Sequence, residues 1–163
     1  MIIKYLNKND IESVKKIYSL YITRPEQLDH QIDYLNNFLN KETKAMKSDL
    51  RYLVAEDNKE IVGILGFRKA LEDMIIFTKT ARPVELYSLF VKTKKQGVGK
   101  NLIREMIKII KQLKYTEIVV FSANKWKDGW QFYDKLGFKR IKTVDVPGEK
   151  PAQIWYMKIK PTS

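Results

Sequence analysis

Apolar positions along this 163-residue chain switch between a helical and a strand period, and the switches mark out its elements. Met1 to Leu6 reads as a first strand. Asn9 followed by Glu12 is spaced as a capping box opening a helix over Ile11 to Tyr21, with Ile11, Val14, Ile17, Tyr18 and Tyr21 on one stripe. Pro25 breaks the chain. Leu28, Ile32, Leu35 and Leu39 then predict a second helix from Gln27 to about Lys47. Arg51 to Glu56 and Glu60 to Phe67 read as a hairpin turning at Asp57-Asn58-Lys59. Ala70 to Val84, with Pro83, is less regular and reads as a strand extension, a loop over a site, or both.

Glu85 to Val91 is apolar on both faces apart from Glu85 and Ser88, as expected of a strand covered on two sides. A helix from about Gly99 to Lys114 follows, presenting Leu102, Ile103, Met106, Ile107, Ile110 and Leu113 to a core. Ile118 to Ser122 is a buried strand, and Asp128 to Lys135 a short helix stopped by Gly137. Phe138 to Val146 and Ala152 to Lys160 pair around Pro147-Gly148. The order is β-α-α-β-β-β-α-β-α-β-β. Strand, helix, strand from Glu85 to Ser122 implies one parallel crossover inside an otherwise antiparallel sheet, a mixed α+β fold. The length fits one domain over residues 1–163.

Composition narrows the chemistry. With no Cys there are no disulfides, no thiolate nucleophiles and few ways to hold zinc, and the single His30 sits among polar neighbours in a predicted helix. No metal is expected. No apolar run approaches the ~20 residues of a membrane helix, and Met1-Ile2-Ile3-Lys4-Tyr5 lacks a signal peptide's apolar stretch, so a soluble cytoplasmic protein is expected. The formal charge of +12 comes from 31 Lys and Arg spread over the whole chain, which reads as a lysine-rich solvated surface. One local cluster, Lys92, Lys94, Lys95 and Lys100, flanks a glycine turn.

That turn, Lys94-Lys95-Gln96-Gly97-Val98-Gly99, lies between the central strand and the long helix. Gly97 and Gly99 tolerate unusual backbone angles and close approach of a ligand. Amides from Gln96 to Lys100 would face a pyrophosphate at the positive end of the helix dipole. A plain tight turn is the other reading, and it is the one that a lone Gly-x-Gly favours. Position 102 is Leu, so this is not the dinucleotide Gly-x-Gly-x-x-Gly, nor is it a Walker A loop.

Val91 to Gly99 followed by an amphipathic helix resembles the acyl-CoA-binding motif of the GNAT superfamily of N-acetyltransferases. The family's Gln or Arg, two free positions, Gly, a free position, Gly or Ala is matched by Lys94, Lys95-Gln96, Gly97, Val98, Gly99. Phe132-Tyr133-Asp134-Lys135-Leu136-Gly137-Phe138 resembles the family's second signature. The resemblance covers about Tyr52 to Lys158. Lys94 departs from the usual Gln or Arg, and Asn124 to Gly129 is longer than usual before the Tyr-bearing helix.

The resemblance implies acetyl-CoA as co-substrate. Backbone groups of Leu89, Phe90 and Val91 would bond the pantetheine arm. The amides of Lys94, Lys95, Gln96, Gly97, Val98, Gly99 and Lys100 would hold the pyrophosphate. Asn124 would contact the cofactor arm, and Tyr133 would stand near the thioester sulfur. A strand amide near Leu89 or Phe90 would stabilise the oxyanion formed when an amine attacks the thioester. A phenol of pKa ~10 gives its proton to a thiolate of pKa ~8.5 uphill by roughly 2 kcal/mol, so Tyr133 acts as much by hydrogen bonding as by protonation.

Glu85 is a candidate base for the amine, directly or through water, with a solvent-facing strand end as the equal alternative. Glu72, Asp73 and Asp128 are weaker candidates for a cationic acceptor. Trp126, Trp130 and Trp155 line an acceptor cleft or pack the core. The expected function is transfer of an acetyl group from acetyl-CoA to a primary amine of a small molecule or peptide, by direct attack in a ternary complex. The alternative is a non-catalytic acyl-CoA-binding or regulatory module of the same fold. A nucleic-acid partner is ranked last for want of a concentrated Arg and aromatic stripe. No membrane partner is expected, and a homodimer is left open.

Overall fold

The computed structural model describes residues 1–40 and 49–162. Strand β1 (Ile2–Tyr5) leads through a 3-10 turn (Lys8–Asp10) to α1 (Ile11–Ser19). The capping box lies two residues earlier than expected: Asn7 accepts from the Asn9 amide and Asp10 reaches back to the Asn7 amide. It opens the 3-10 turn, which runs on into α1, and Asp10 at the head of α1 makes no side-chain cap of its own. Pro25 opens α2 (Pro25–Leu39) at its first turn instead of only breaking the chain, since its missing N–H costs nothing there. The expected continuation to about Lys47 falls largely on residues 41–48, outside the described residues.

Strands β2 (Arg51–Asp57) and β3 (Glu60–Lys69) form the expected hairpin, with Asn58 and Lys59 both at positive φ (50° and 65°). The irregular stretch after β3 contains a short helix, α3 (Glu72–Ile75), absent from the expected order. Then come β4 (Pro83–Val91), α4 (Val98–Gln112) and β5 (Glu117–Ser122). A 3-10 segment (Asn124–Gly129) precedes α5 (Trp130–Lys135), and the chain closes with β6 (Lys139–Val144) and β7 (Ala152–Lys158).

The fold is mixed α+β, with helices flanking a seven-stranded sheet ordered β1-β2-β3-β4-β5-β7-β6. Its one parallel pair is β4 with β5, the crossover expected from the strand-helix-strand pattern. That pairing runs only from Pro83↔Glu117 to Leu86↔Val120, so the last five residues of β4, Tyr87–Val91, lie beyond it.

The chain divides into two compact units: Met1–Arg68 with Ser88–Met106, and Lys69–Tyr87 with Ile107–Ser163. In the first, Val14, Ile17, Leu35, Tyr52, Leu53, Val54, Ile64 and Leu102 are buried. In the second, Ala70, Met74, Val119 and Ile154 form a cluster with Phe77, Ile141, Val144 and Tyr156 packed on it. Among the described residues no helix is long and apolar enough to cross a membrane, and no group of three or more His, Cys, Asp or Glu is placed to hold a metal ion.

Candidate functional site

In the first unit, the chain leaves β4 at Val91 and turns through residues 92–97 into α4. Lys95 and Gly97 are both left-handed, with φ of 63° and 79°. A Cβ on Gly97 would meet nothing within 4 Å, so the backbone angle alone demands glycine there. The Gly97 carbonyl accepts from the Asn101 amide at 3.0 Å, which makes Gly97 the residue before the first helical turn. The amides of Val98, Gly99 and Lys100 therefore lie in that turn, where a helix supplies no carbonyl for them.

Two features leave this helix end seeking an anion. Its first turn carries no acidic side chain and does carry Lys100. Asp or Glu in the first turn offsets the positive end of a helix; this one leaves it uncompensated. The end is also held firmly, because Val98 is buried and β3 presents Gly63 beneath it. A Cβ on Gly63 would lie 2.6 Å from Val98 Cγ1 and 3.1 Å from Leu102 Cδ1. An isolated strand glycine is the sequence signal for such a close approach.

Lys94, Lys95 and Lys100 are exposed around the turn. Lys92, counted with them from sequence, instead pairs with Glu60 across the neighbouring strand. Lys94 Nζ lies 5.8 Å from the Tyr21 ring centroid. Leu89, Phe90 and Val91 are half-buried on the part of β4 that runs beyond its pairing with β5. Phe90 packs edge-on against Tyr18 at 5.0 Å, and the Val91 carbonyl accepts from the Tyr21 hydroxyl at 2.6 Å. Free helix-end amides, a left-handed turn open around Gly97, and adjacent lysines together make a site suited to a phosphate or pyrophosphate anion.

In the second unit, Tyr133 sits on α5. That helix ends in a Schellman motif: Phe138 N–H bonds the Tyr133 carbonyl at 3.1 Å and Gly137 N–H bonds the Asp134 carbonyl at 3.2 Å, with Gly137 at φ 93°. The second signature is thus a helix stop, with its glycine in the left-handed position and Phe138 buried. The Tyr133 ring packs among Trp155 (5.2 Å), Phe132 (5.4 Å) and Phe138 (5.9 Å). Loss of hydration pushes its hydroxyl up to about 12. Asp134, the next residue, accepts from the buried Trp155 indole and from the Arg140 guanidinium at 2.8 and 3.1 Å, which anchors α5 to β6 and β7.

Glu85 is 8% exposed on β4, opposite Val119, which is not a solvent-facing strand end. Asn124 donates from its side-chain amide to the Pro151 carbonyl at 3.2 Å. The segment before α5 that the sequence shows as extra length is a 3-10 run. Of the tryptophans, Trp155 is fully buried and Trp130 donates to Ser122 Oγ at 3.0 Å. Lys127, Asp128, Trp130, Gln131 and Arg140 line an open groove of about 400 Å³. Glu72 and Asp73 are exposed on α3.

Sequence reasoning passed over Glu117, taking β5 to start one residue later. Its carboxylate is fully buried and accepts from the Lys79 amide, the Thr80 amide and the Thr80 hydroxyl at 2.8–3.2 Å, holding the loop that leads into β4. A charge at the head of an apolar strand was the available signal.

Residues 23–149 match the family model of the GNAT acetyltransferase domain. Among solved structures, a GNAT-family protein from Desulfovibrio desulfuricans superposes with TM-score 0.80 at 14% identity, over 98% of this chain and 99% of that one. Arabidopsis thaliana NAA60 in complex with a bisubstrate analogue gives 0.75 at 14%, over 99% of both chains. An aminoglycoside 6'-N-acetyltransferase complexed with coenzyme A gives 0.71 at 18%, over 100% and 99%. Comparison with curated protein sequences returns no match.

Proposed function

Because the chain belongs to the GNAT family of acetyltransferases, we propose that it moves an acetyl group from acetyl-CoA to a primary amine by direct attack within a ternary complex. The observation that carries this reading is the uncompensated N-terminus of α4 behind a left-handed turn, in the stretch that bears the acyl-CoA motif. Acetyl-CoA supplies the acyl group as an activated thioester. The amides of Lys94 to Lys100 hold its pyrophosphate, and the lysines of the turn add charge for its remaining phosphate. Backbone groups of Leu89 to Val91 bind the pantetheine arm. An amide at Leu89 or Phe90 donates to the carbonyl oxygen as it gains charge.

Tyr133 donates a hydrogen bond to the departing sulfur. With its hydroxyl near 12, full transfer of that proton to a thiolate of ordinary pKa runs uphill by roughly 5 kcal/mol. That favours stabilisation of the thiolate by hydrogen bonding over protonation. Glu85, buried on the central strand, takes the amine's proton, directly or through water. Holding the two reactants together accounts for much of the remaining rate.

Peptide N-termini, lysine side chains, polyamines, aminoglycosides and small amines are the acceptors to screen, by following thiol release from acetyl-CoA. Acceptor-dependent release that Tyr133→Phe suppresses supports transfer. Tight coenzyme A binding with no release by any amine favours a binding module instead.

A further inference from the structure

The peptide unit joining Val91 to Lys92 is held at both ends. Its carbonyl accepts from the Tyr21 hydroxyl at 2.6 Å, and its N–H donates to the Val62 carbonyl at 2.8 Å. A peptide plane with both polar groups engaged cannot flip without breaking two bonds, so the direction in which the chain leaves β4 is set there. Immediately after it come the loop and the first turn of α4.

Tyr21 is well placed for this task. It lies just past α1, fixed by its amide bonding the Tyr18 carbonyl at 3.0 Å. Its ring packs 5.3 Å from that of Phe90 and lies under the Lys94 ammonium at 5.8 Å. One half-buried side chain thus touches Phe90, Val91 and Lys94, spanning the end of the strand and the start of the turn. Burial raises the Tyr21 hydroxyl above its usual range, which keeps it a donor.

We propose that Tyr21 is a positioning residue for the phosphate-binding turn, fixing the Val91–Lys92 peptide so that the amides of Val98 to Lys100 converge on one pyrophosphate. This rests on the acetyl-CoA reading and deepens it. Its consequence is specific: loss of the Tyr21 hydroxyl weakens ligands through their pyrophosphate.

The test is Tyr21→Phe in the full chain, which keeps the ring against Phe90 and removes one hydrogen bond. Calorimetric titrations with coenzyme A and with ADP, which carries the pyrophosphate without the pantetheine, are run on both proteins, with melting curves alongside. The expected result is about tenfold weaker binding of both ligands at a temperature where the variant is fully folded. Coenzyme A affinity equal to that of the parent overturns the proposal. So does a loss that merely follows the melting curve and vanishes once the variant is folded, or a loss confined to coenzyme A. If the parent protein itself fails to bind coenzyme A, the acetyl-CoA reading fails first and this inference falls with it.

Discussion

The indole of Trp155 donates to Asp134 Oδ1 at 2.9 Å, tying the most deeply buried tryptophan to the residue after Tyr133. Asp134→Ala leaves that N–H without its acceptor and is expected to cost about 1–3 kcal/mol in denaturant unfolding. The Arg140 guanidinium, and then the Trp155 indole, hold the Asp134 carboxyl below its ordinary value. A folded pKa below the unfolded one stabilises fully above the ordinary ~3.9 and is lost as pH falls through the depressed value. Asp134→Asn is therefore expected to lie furthest below the parent protein at neutral pH and to converge with it as the solution is acidified below about pH 4. The side chain is well exposed, so the difference is expected to shrink with added salt.

Tyr133→Phe keeps the ring packed on Trp155 and Phe138 and removes only the hydroxyl. Turnover is expected to fall about 100-fold, with little change in the KM for acetyl-CoA, as for loss of a donor used only in the transition state. Because the hydroxyl holds its proton to about 12, an alkaline limb in the pH profile below about pH 10 is expected to persist unchanged in this variant.

Glu85→Gln removes the proposed proton acceptor with almost no change in volume. Steady-state rates across pH are expected to fall roughly 100-fold or more and to lose their acidic limb, whereas an amine more weakly basic than the parent's best acceptor suffers less. An unchanged profile assigns proton removal to another group.

Gly63→Ala places a methyl 2.6 Å from Val98 Cγ1, a β-branched neighbour with little rotamer freedom. The expected destabilisation is about 1–3 kcal/mol by urea titration. Gly97→Ala meets no atom but must hold φ at 79°, costing about 1–2 kcal/mol of strain. In both, coenzyme A affinity is expected to drop, since each disturbs the end of α4.

How much of this was legible in the sequence follows from the range of the interactions involved. The α4 stripe of Leu102, Ile103, Met106 and Ile110, the hairpin at Asn58-Lys59 and the parallel crossover rest on local periodicity and turn chemistry, and each appears as read. The Asn9 capping box failed because the box forms on Asn7 and Asp10, around a 3-10 turn that holds Asn9 inside it. α3 was hidden by its length, since four residues carry no period. What sequence could not give were contacts across long separations: Tyr21 to Val91, Lys92 to Glu60, and Glu117 to the Lys79-Thr80 amides. Tyr133 stood out through its flanking signature, but the elevation of its hydroxyl depends on the burial it finds in the fold.

The most direct measurement is calorimetric titration of acetyl-CoA into the parent protein and into Lys100→Glu. Lys100 is an exposed first-turn residue of α4, where a glutamate suits the helix dipole and leaves stability equal or slightly raised. The same carboxylate opposes an anion held by the neighbouring amides. The expected result is micromolar one-site binding to the parent and at least about tenfold weaker binding to the variant at undiminished melting temperature. No binding to the parent at low salt, or equal binding by both proteins, contradicts it.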